Sequence, residues 1–106
     1  MKIMFVCAGG MSTTITAKKL EEISKENGVA MTVNAFGASG YLRQLETEQY
    51  DVLLVAPQIR HRFDAIKEEC AKFEDLIVDK IPPNMYAPMD PIVKKLFDYI
   101  MAKINA

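Results

Sequence analysis

No apolar run in the 106 residues approaches the ~18–20 residues that cross a bilayer. Charge of one sign is also missing. The 13 basic and 14 acidic residues leave a net charge of −1, which argues against a nucleic-acid partner held by a general basic field. Neither a polybasic nor an acidic tail is present. Cysteine is sparse, with two in the chain, too few for a disulfide framework and more in keeping with free thiols. Histidine occurs once, as His61. A zinc site from Cys7, Cys70 and His61 has no ligand-pair spacing behind it and is set aside, and no cofactor is expected. The opening Met1–Cys7 segment is too short for the apolar part of a signal peptide. The expectation is a cytoplasmic protein with no membrane insertion and one domain over residues 1–106. Nothing demands a dimer, so a monomer is expected.

What is present is alternation. Lys2–Cys7 and Asp51–Ala56 are short, nearly all-apolar runs, as in strands buried on both faces. Val29–Phe36 alternates in the manner of an edge strand. Leu76–Ile81 is a fourth strand, stopped by Pro82-Pro83. Between them lie helical stretches. Thr13–Asn27 carries Ala17, Leu20 and Ile23 on its inner side and stops at Gly28. A shorter helix covers Tyr41 to about Glu48. Ile59, Phe63, Ile66, Cys70 and Phe73 form a stripe at helical spacing. Asp90 as N-cap and Pro91 at the first helical position open a last helix. The order β-α-β-α-β-α-β-α predicts an α/β fold of Rossmann-like type. It is an open four-stranded parallel sheet with helices on both faces. Right-handed crossovers favour the order 2-1-3-4. Ligands in such sheets bind at the carboxyl ends of the strands beside the reversal of direction. That places the candidate site at Cys7–Ser12 and Pro57–Arg62.

Cys7 ends the first strand, and Ala8, Gly9, Gly10, Met11, Ser12, Thr13 and Thr14 follow into a helix. Two glycines let the backbone turn tightly and aim several N–H groups into one concavity. The helix adds unpaired N–H groups and the positive end of its dipole, and the three hydroxyls complete a phosphate cradle. Helix N-termini favour thiolate over thiol, and a thiolate facing such a cradle can accept a phosphoryl group. The plainer alternative is a small apolar residue at a strand end followed by an ordinary turn. A cysteine phosphatase of this architecture uses C-x5-R-[ST], whose arginine binds phosphate bidentately. Here Thr13 stands where that arginine would be, and no Arg or Lys occurs before Lys18. Such a cradle holds a phosphoryl group but drives its hydrolysis poorly, which suits a relay.

The Cys7-Ala-Gly-Gly-Met-Ser-Thr-Thr loop and Asp51-Val-Leu-Leu-Val-Ala-Pro-Gln-Ile59, with the strand–helix order, resemble the IIB component of the sugar phosphotransferase system. The type is lactose/cellobiose (chitobiose), and the likeness covers essentially the whole chain. Gly9 departs from a common version of the loop, which has Ala there. The resemblance implies one component of a protein-phosphohistidine–sugar phosphotransferase. In that family the cysteine takes phosphate from a phosphohistidine on IIA and passes it to a disaccharide held by membrane-embedded IIC. Carried onto this chain, Cys7 is the phosphorylated nucleophile and Ala8–Thr14 the phosphate loop.

Gln58 stands beside the cradle, within reach of a phosphate oxygen or a partner, or is a turn residue in water. Arg60, His61 and Arg62 begin the next helix against its dipole, so they either face an anionic partner or form a solvated basic patch. Tyr86 is placed at the rim of the site or against a partner. Cys70 belongs to an apolar stripe and reads as a buried structural thiol. Asp90-Pro91 resembles the general-acid pair of low-molecular-weight tyrosine phosphatases, which share the strand order, but helix capping explains the pair without catalysis and is the reading preferred. Two other functions stay open. One is a phosphatase- or arsenate-reductase-like hydrolase, and the other a non-catalytic binding module of the same fold.

Overall fold

The computed structural model describes residues 1–8 and 11–105, with the backbone alone described for Met11 and Ser12. Four parallel strands lie in the order β2-β1-β3-β4: β1 Lys2–Cys7, β2 Thr32–Gly37, β3 Val52–Val55 and β4 Ile77–Lys80. Four α-helices alternate with them: α1 Met11–Glu26, α2 Tyr41–Thr47, α3 Phe63–Glu69 and α4 Asp90–Ile104. The expected order and the central placing of β1 and β3 are both observed.

Strand alternation divides the core in two. Ile3 and Phe5 of β1, with Val52 and Leu54 of β3, pack against Ala17, Leu20 and Ile23 of α1 and Val93, Leu96 and Ile100 of α4. Met4, Val6, Leu53 and Val55 face the opposite way, against Tyr41 and Leu45 of α2 and Ile66 of α3. All eight strand residues are fully buried, and each contributes about 1.5–3 kcal/mol of transfer free energy on leaving water. Right-handed crossovers explain the partition: direction reverses after β2, so α1 lies on one face and α2 and α3 on the other. The chain returns after β4 and lays α4 beside α1.

The starts of β2, α3 and α4 differ from the sequence reading. α1 does stop at Gly28, which takes φ +75°. The Gly28 N–H donates to Lys25 O and the Val29 N–H to Ser24 O, at 3.0 and 2.8 Å, a Schellman closure. That closure uses the Val29 N–H, so β2 begins only at Thr32. The stripe from Ile59 to Phe73 is not one helix. Pro57–Arg62 is a 3₁₀ turn broken at Ile59 (φ −121°, ψ 28°), and α3 starts at Phe63. The stripe still marks one face, since Ile59, Ile66 and Cys70 are buried and Phe63 and Phe73 half-buried in the same cluster. Arg60, His61 and Arg62 therefore precede α3 instead of opening it. In α4 the N-cap is Met89, not Asp90. The Met89 carbonyl accepts the Ile92 and Val93 N–H groups, each at 2.9 Å, while the Asp90 carboxylate accepts from Lys19 Nζ at 3.1 Å.

At the amino ends of the strands, the segments entering β3 and β4 leave a cleft of about 380 Å³ whose rim includes Glu46, Glu48, Glu74 and Asp75. At the carboxyl ends Arg60, His61, Arg62 and Lys80 are exposed, as are Asp64 at the start of α3 and Asp90 at the start of α4. No helix among the described residues is long and apolar enough to cross a membrane.

Candidate functional site

Cys7 closes β1 in register with Gly37 of β2. It is 4% exposed, and its S–H donates to the Phe36 carbonyl at 3.7 Å. That carbonyl belongs to the edge strand, so the sheet itself holds the thiol proton. Ala8 is exposed. Gly9 and Gly10, which the cradle reading depends on, lie outside the described residues, as do the side chains of Met11 and Ser12. The helix they lead into begins at Met11, runs sixteen residues and has no acidic side chain in its first turn. Its first N–H groups have no partner within the helix, and no carboxylate of that turn opposes an anion there. Thr14 is exposed and Thr13 is buried.

The Thr13 hydroxyl is hydrogen-bonded to the hydroxyl of Tyr86. Tyr86 is half-buried and follows a second 3₁₀ turn, Pro83–Met85, in the connection from β4 to α4. Thr16, one turn further along α1, is 1% exposed with a hydroxyl that has no partner among the described residues. On this face of α1, burial alone does not bring pairing.

The second loop is the turn Pro57–Arg62, which packs beside the end of β1. Ile59 anchors it in the core, leaving Gln58, Arg60, His61 and Arg62 exposed. Lys80, at the end of β4, places its ammonium 5.1 Å from the centre of the Phe63 ring. Among the described residues no three His, Cys, Asp or Glu side chains are grouped to hold a metal ion.

The fold thus gathers Cys7, Thr13, Tyr86 and the Pro57–Arg62 turn at one end of the sheet. It does not bring Cys70 there. That thiol is 2% exposed on the α2–α3 face, and burial pushes it up to about 11, with the Glu69 carboxylate adding to the effect. Nor does Asp90 serve the site, being paired with Lys19. The sequence reading missed the Thr13–Tyr86 pair and the Phe36 carbonyl. The first was implicit in the topology, because helices on a common face bring their N-termini together. The second needed the register of β2, which composition does not supply.

The family model of the lactose/cellobiose-specific IIB subunit of the phosphotransferase system matches residues 2–95. Among solved structures the chain is similar to the lactose-specific IIB component domain of the phosphoenolpyruvate:carbohydrate phosphotransferase system from Streptococcus pneumoniae. The TM-score is 0.70 at 18% identity, over 92% of this chain and 95% of that one. It is also similar to a YwlE mutant from Bacillus subtilis, with a TM-score of 0.54 at 13% identity, over 94% and 90% of the two chains. At these identities the structural likeness concerns the fold. No curated protein sequence matches the chain.

Proposed function

From the premise that the chain belongs to the lactose/cellobiose-specific IIB family, and is thus a phosphoryl-relay subunit of a sugar phosphotransferase system, we propose that Cys7 is the residue that carries the phosphate. The observation behind this is its position. The thiol closes a central strand, its proton rests on the Phe36 carbonyl, and α1 begins four residues later with no carboxylate in its first turn.

The donor is a phosphohistidine of IIA. The Cys7 sulfur attacks phosphorus as the N–P bond breaks, and an S–P bond forms. The thiol proton ends on the departing imidazole nitrogen. In the second step a disaccharide hydroxyl, on sugar held by membrane IIC, attacks the phosphocysteine. Its oxygen takes the phosphoryl group and the sulfur regains a proton. The residues of Ala8–Thr14 supply N–H groups and the helix dipole to the transferring group, so catalysis is mainly positioning and electrostatic stabilisation. The absence of Arg or Lys between Cys7 and Lys18 favours a persistent thiophosphate over its hydrolysis. Gln58, Arg60, His61 and Arg62 form the rim that an anionic partner meets. The subunit works in the cytoplasm as one domain and as a monomer, through transient and modest interfaces.

The test is intact mass after incubation with phosphoenolpyruvate, enzyme I, HPr and a lactose/cellobiose-type IIA. One added phosphate is expected on wild type and on Cys70→Ser, and none on Cys7→Ser. Equal loss from both cysteine variants would overturn the assignment. Turnover of p-nitrophenyl phosphate by wild type would favour a hydrolase instead.

A further inference from the structure

The geometry points to Tyr86 as a positioning residue that acts on the phosphate loop through the hydroxyl of Thr13, an inference that rests on the relay reading above. Thr13 is the third residue of α1 and 2% exposed, and its only side-chain partner among the described residues is the Tyr86 hydroxyl. Each hydroxyl has one proton to give and lone pairs to receive another. A phenol is the stronger acid, so Tyr86 is taken as donor and Thr13 Oγ1 as acceptor. The Thr13 proton is then left for a third group. On this inference that group is an oxygen of the loop-bound phosphate, and a hydroxyl that already accepts a hydrogen bond donates more strongly.

The support on which Tyr86 stands is stiff. Pro82 and Pro83 precede it, and the turn is closed by the Met85 N–H on Pro82 O at 2.9 Å and the Tyr86 N–H on Pro83 O at 3.4 Å. Just beyond it, α4 is tied to α1 by Lys19 Nζ on Asp90 at 3.1 Å. Tyr86 in the β4–α4 connection and Asp90 at the start of α4 therefore meet α1 at two points, in its first and third turns. Only the upper one, the hydroxyl pair, lies in the phosphate loop. The alternative role for Tyr86, contact with a docking partner, leaves the phenol free of Thr13.

Inorganic phosphate is the probe. It is titrated into wild type, Tyr86→Phe, Thr13→Val and the double variant, with the Thr14 amide followed by NMR. Tyr86→Phe is expected to weaken phosphate binding by roughly three- to tenfold, the worth of one hydrogen bond. The double variant is expected to bind no more weakly than Thr13→Val alone, and Thr13→Ser, which keeps the hydroxyl, to restore binding. In single-turnover transfer from phosphorylated IIA, Tyr86→Phe lowers the rate at saturating donor and leaves the half-saturating donor concentration unchanged. Wild-type phosphate affinity in Tyr86→Phe, additive losses in the double variant, or no phosphate-dependent shift in wild type would each overturn the inference. A change confined to the half-saturating donor concentration would make Tyr86 a partner contact and overturn it as well. The titration needs no donor chain. Coupled phosphate binding in a protein that IIA cannot phosphorylate would defeat the relay and leave the Tyr86–Thr13 link standing.

Discussion

The two thiols of this chain show how location sets chemistry at the scale of a residue. Cys70 lies among Tyr41, Ile66 and Phe73 and has lost its water. Its folded value, about 11, lies above its ordinary one of 9.0. The folded state therefore binds the proton more tightly than the unfolded state. The resulting stability is complete below the ordinary value and is lost as pH rises through the folded one. Cys70 is expected to stay unalkylated by iodoacetamide at pH 8 in the native protein and to react once urea unfolds it, as peptide mass mapping would show. Rapid native labelling would contradict its burial. Its structural role was legible from spacing, since an apolar stripe at offsets of 4, 7 and 11 contains it. Cys7, the candidate site thiol, was singled out in the sequence by its place between a strand and two glycines. The hydroxyl pair of Thr13 and Tyr86 was not, because 73 residues separate its members and no local pattern links them.

Elements carry the errors of the sequence reading and their reasons. Periodicity located the buried faces of α1 and α3, but it has no means of distinguishing an α-helix from a 3₁₀ turn leading into one, as at Ile59. Capping chemistry gave Asp90 as N-cap, but the helix starts one residue earlier and Asp90 pairs with Lys19. Gly28 was the secure boundary. Nothing lies within 4 Å of a Cβ built there, so only its positive φ opposes a side chain. Gly28→Ala is expected to lower stability by about 1–2 kcal/mol, with Gly28→Asn losing less, as urea midpoints would report. The β4–α4 junction has its own pH dependence. Burial works against the Asp79 carboxylate, but the Lys103 ammonium, the Lys80 N–H and the Tyr99 hydroxyl together hold it below the usual range. In turn the hydrogen bond to Asp79 raises Lys103. A lowered acid contributes stability that is present above its unfolded value near pH 4 and lost as pH falls through the folded one. Urea midpoints are expected to fall below about pH 4, and Asp79→Asn to flatten that acid limb. An unchanged limb in the variant would assign the acid loss to other carboxylates.

The whole molecule was the most legible scale, since buried runs belong at the centre of a parallel sheet and alternating ones at its edge. Strands β1 and β3 lend alternate side chains to both cores, so neither core can melt while the other persists. The chain has four tyrosines and no tryptophan. Tyr41 and Tyr50 lie in one core, and Tyr86 and Tyr99 pack against the other. Near-ultraviolet and far-ultraviolet circular dichroism are expected to trace a single coincident unfolding transition. Separate transitions would mean that one layer of helices detaches first. The net charge of −1 conceals another property at this scale. Carboxylates rim the amino ends of the strands, and Arg60, Arg62 and Lys80 stand at the carboxyl ends. Arg60, Arg62 and Lys80 give the carboxyl-end face a basic patch beside Asp64 and Asp90, while at the opposite end Lys2 and Lys72 pair with Glu48 and Glu46. An anionic partner is expected to be drawn to that patch, and added salt to slow the encounter without altering the chemistry that follows.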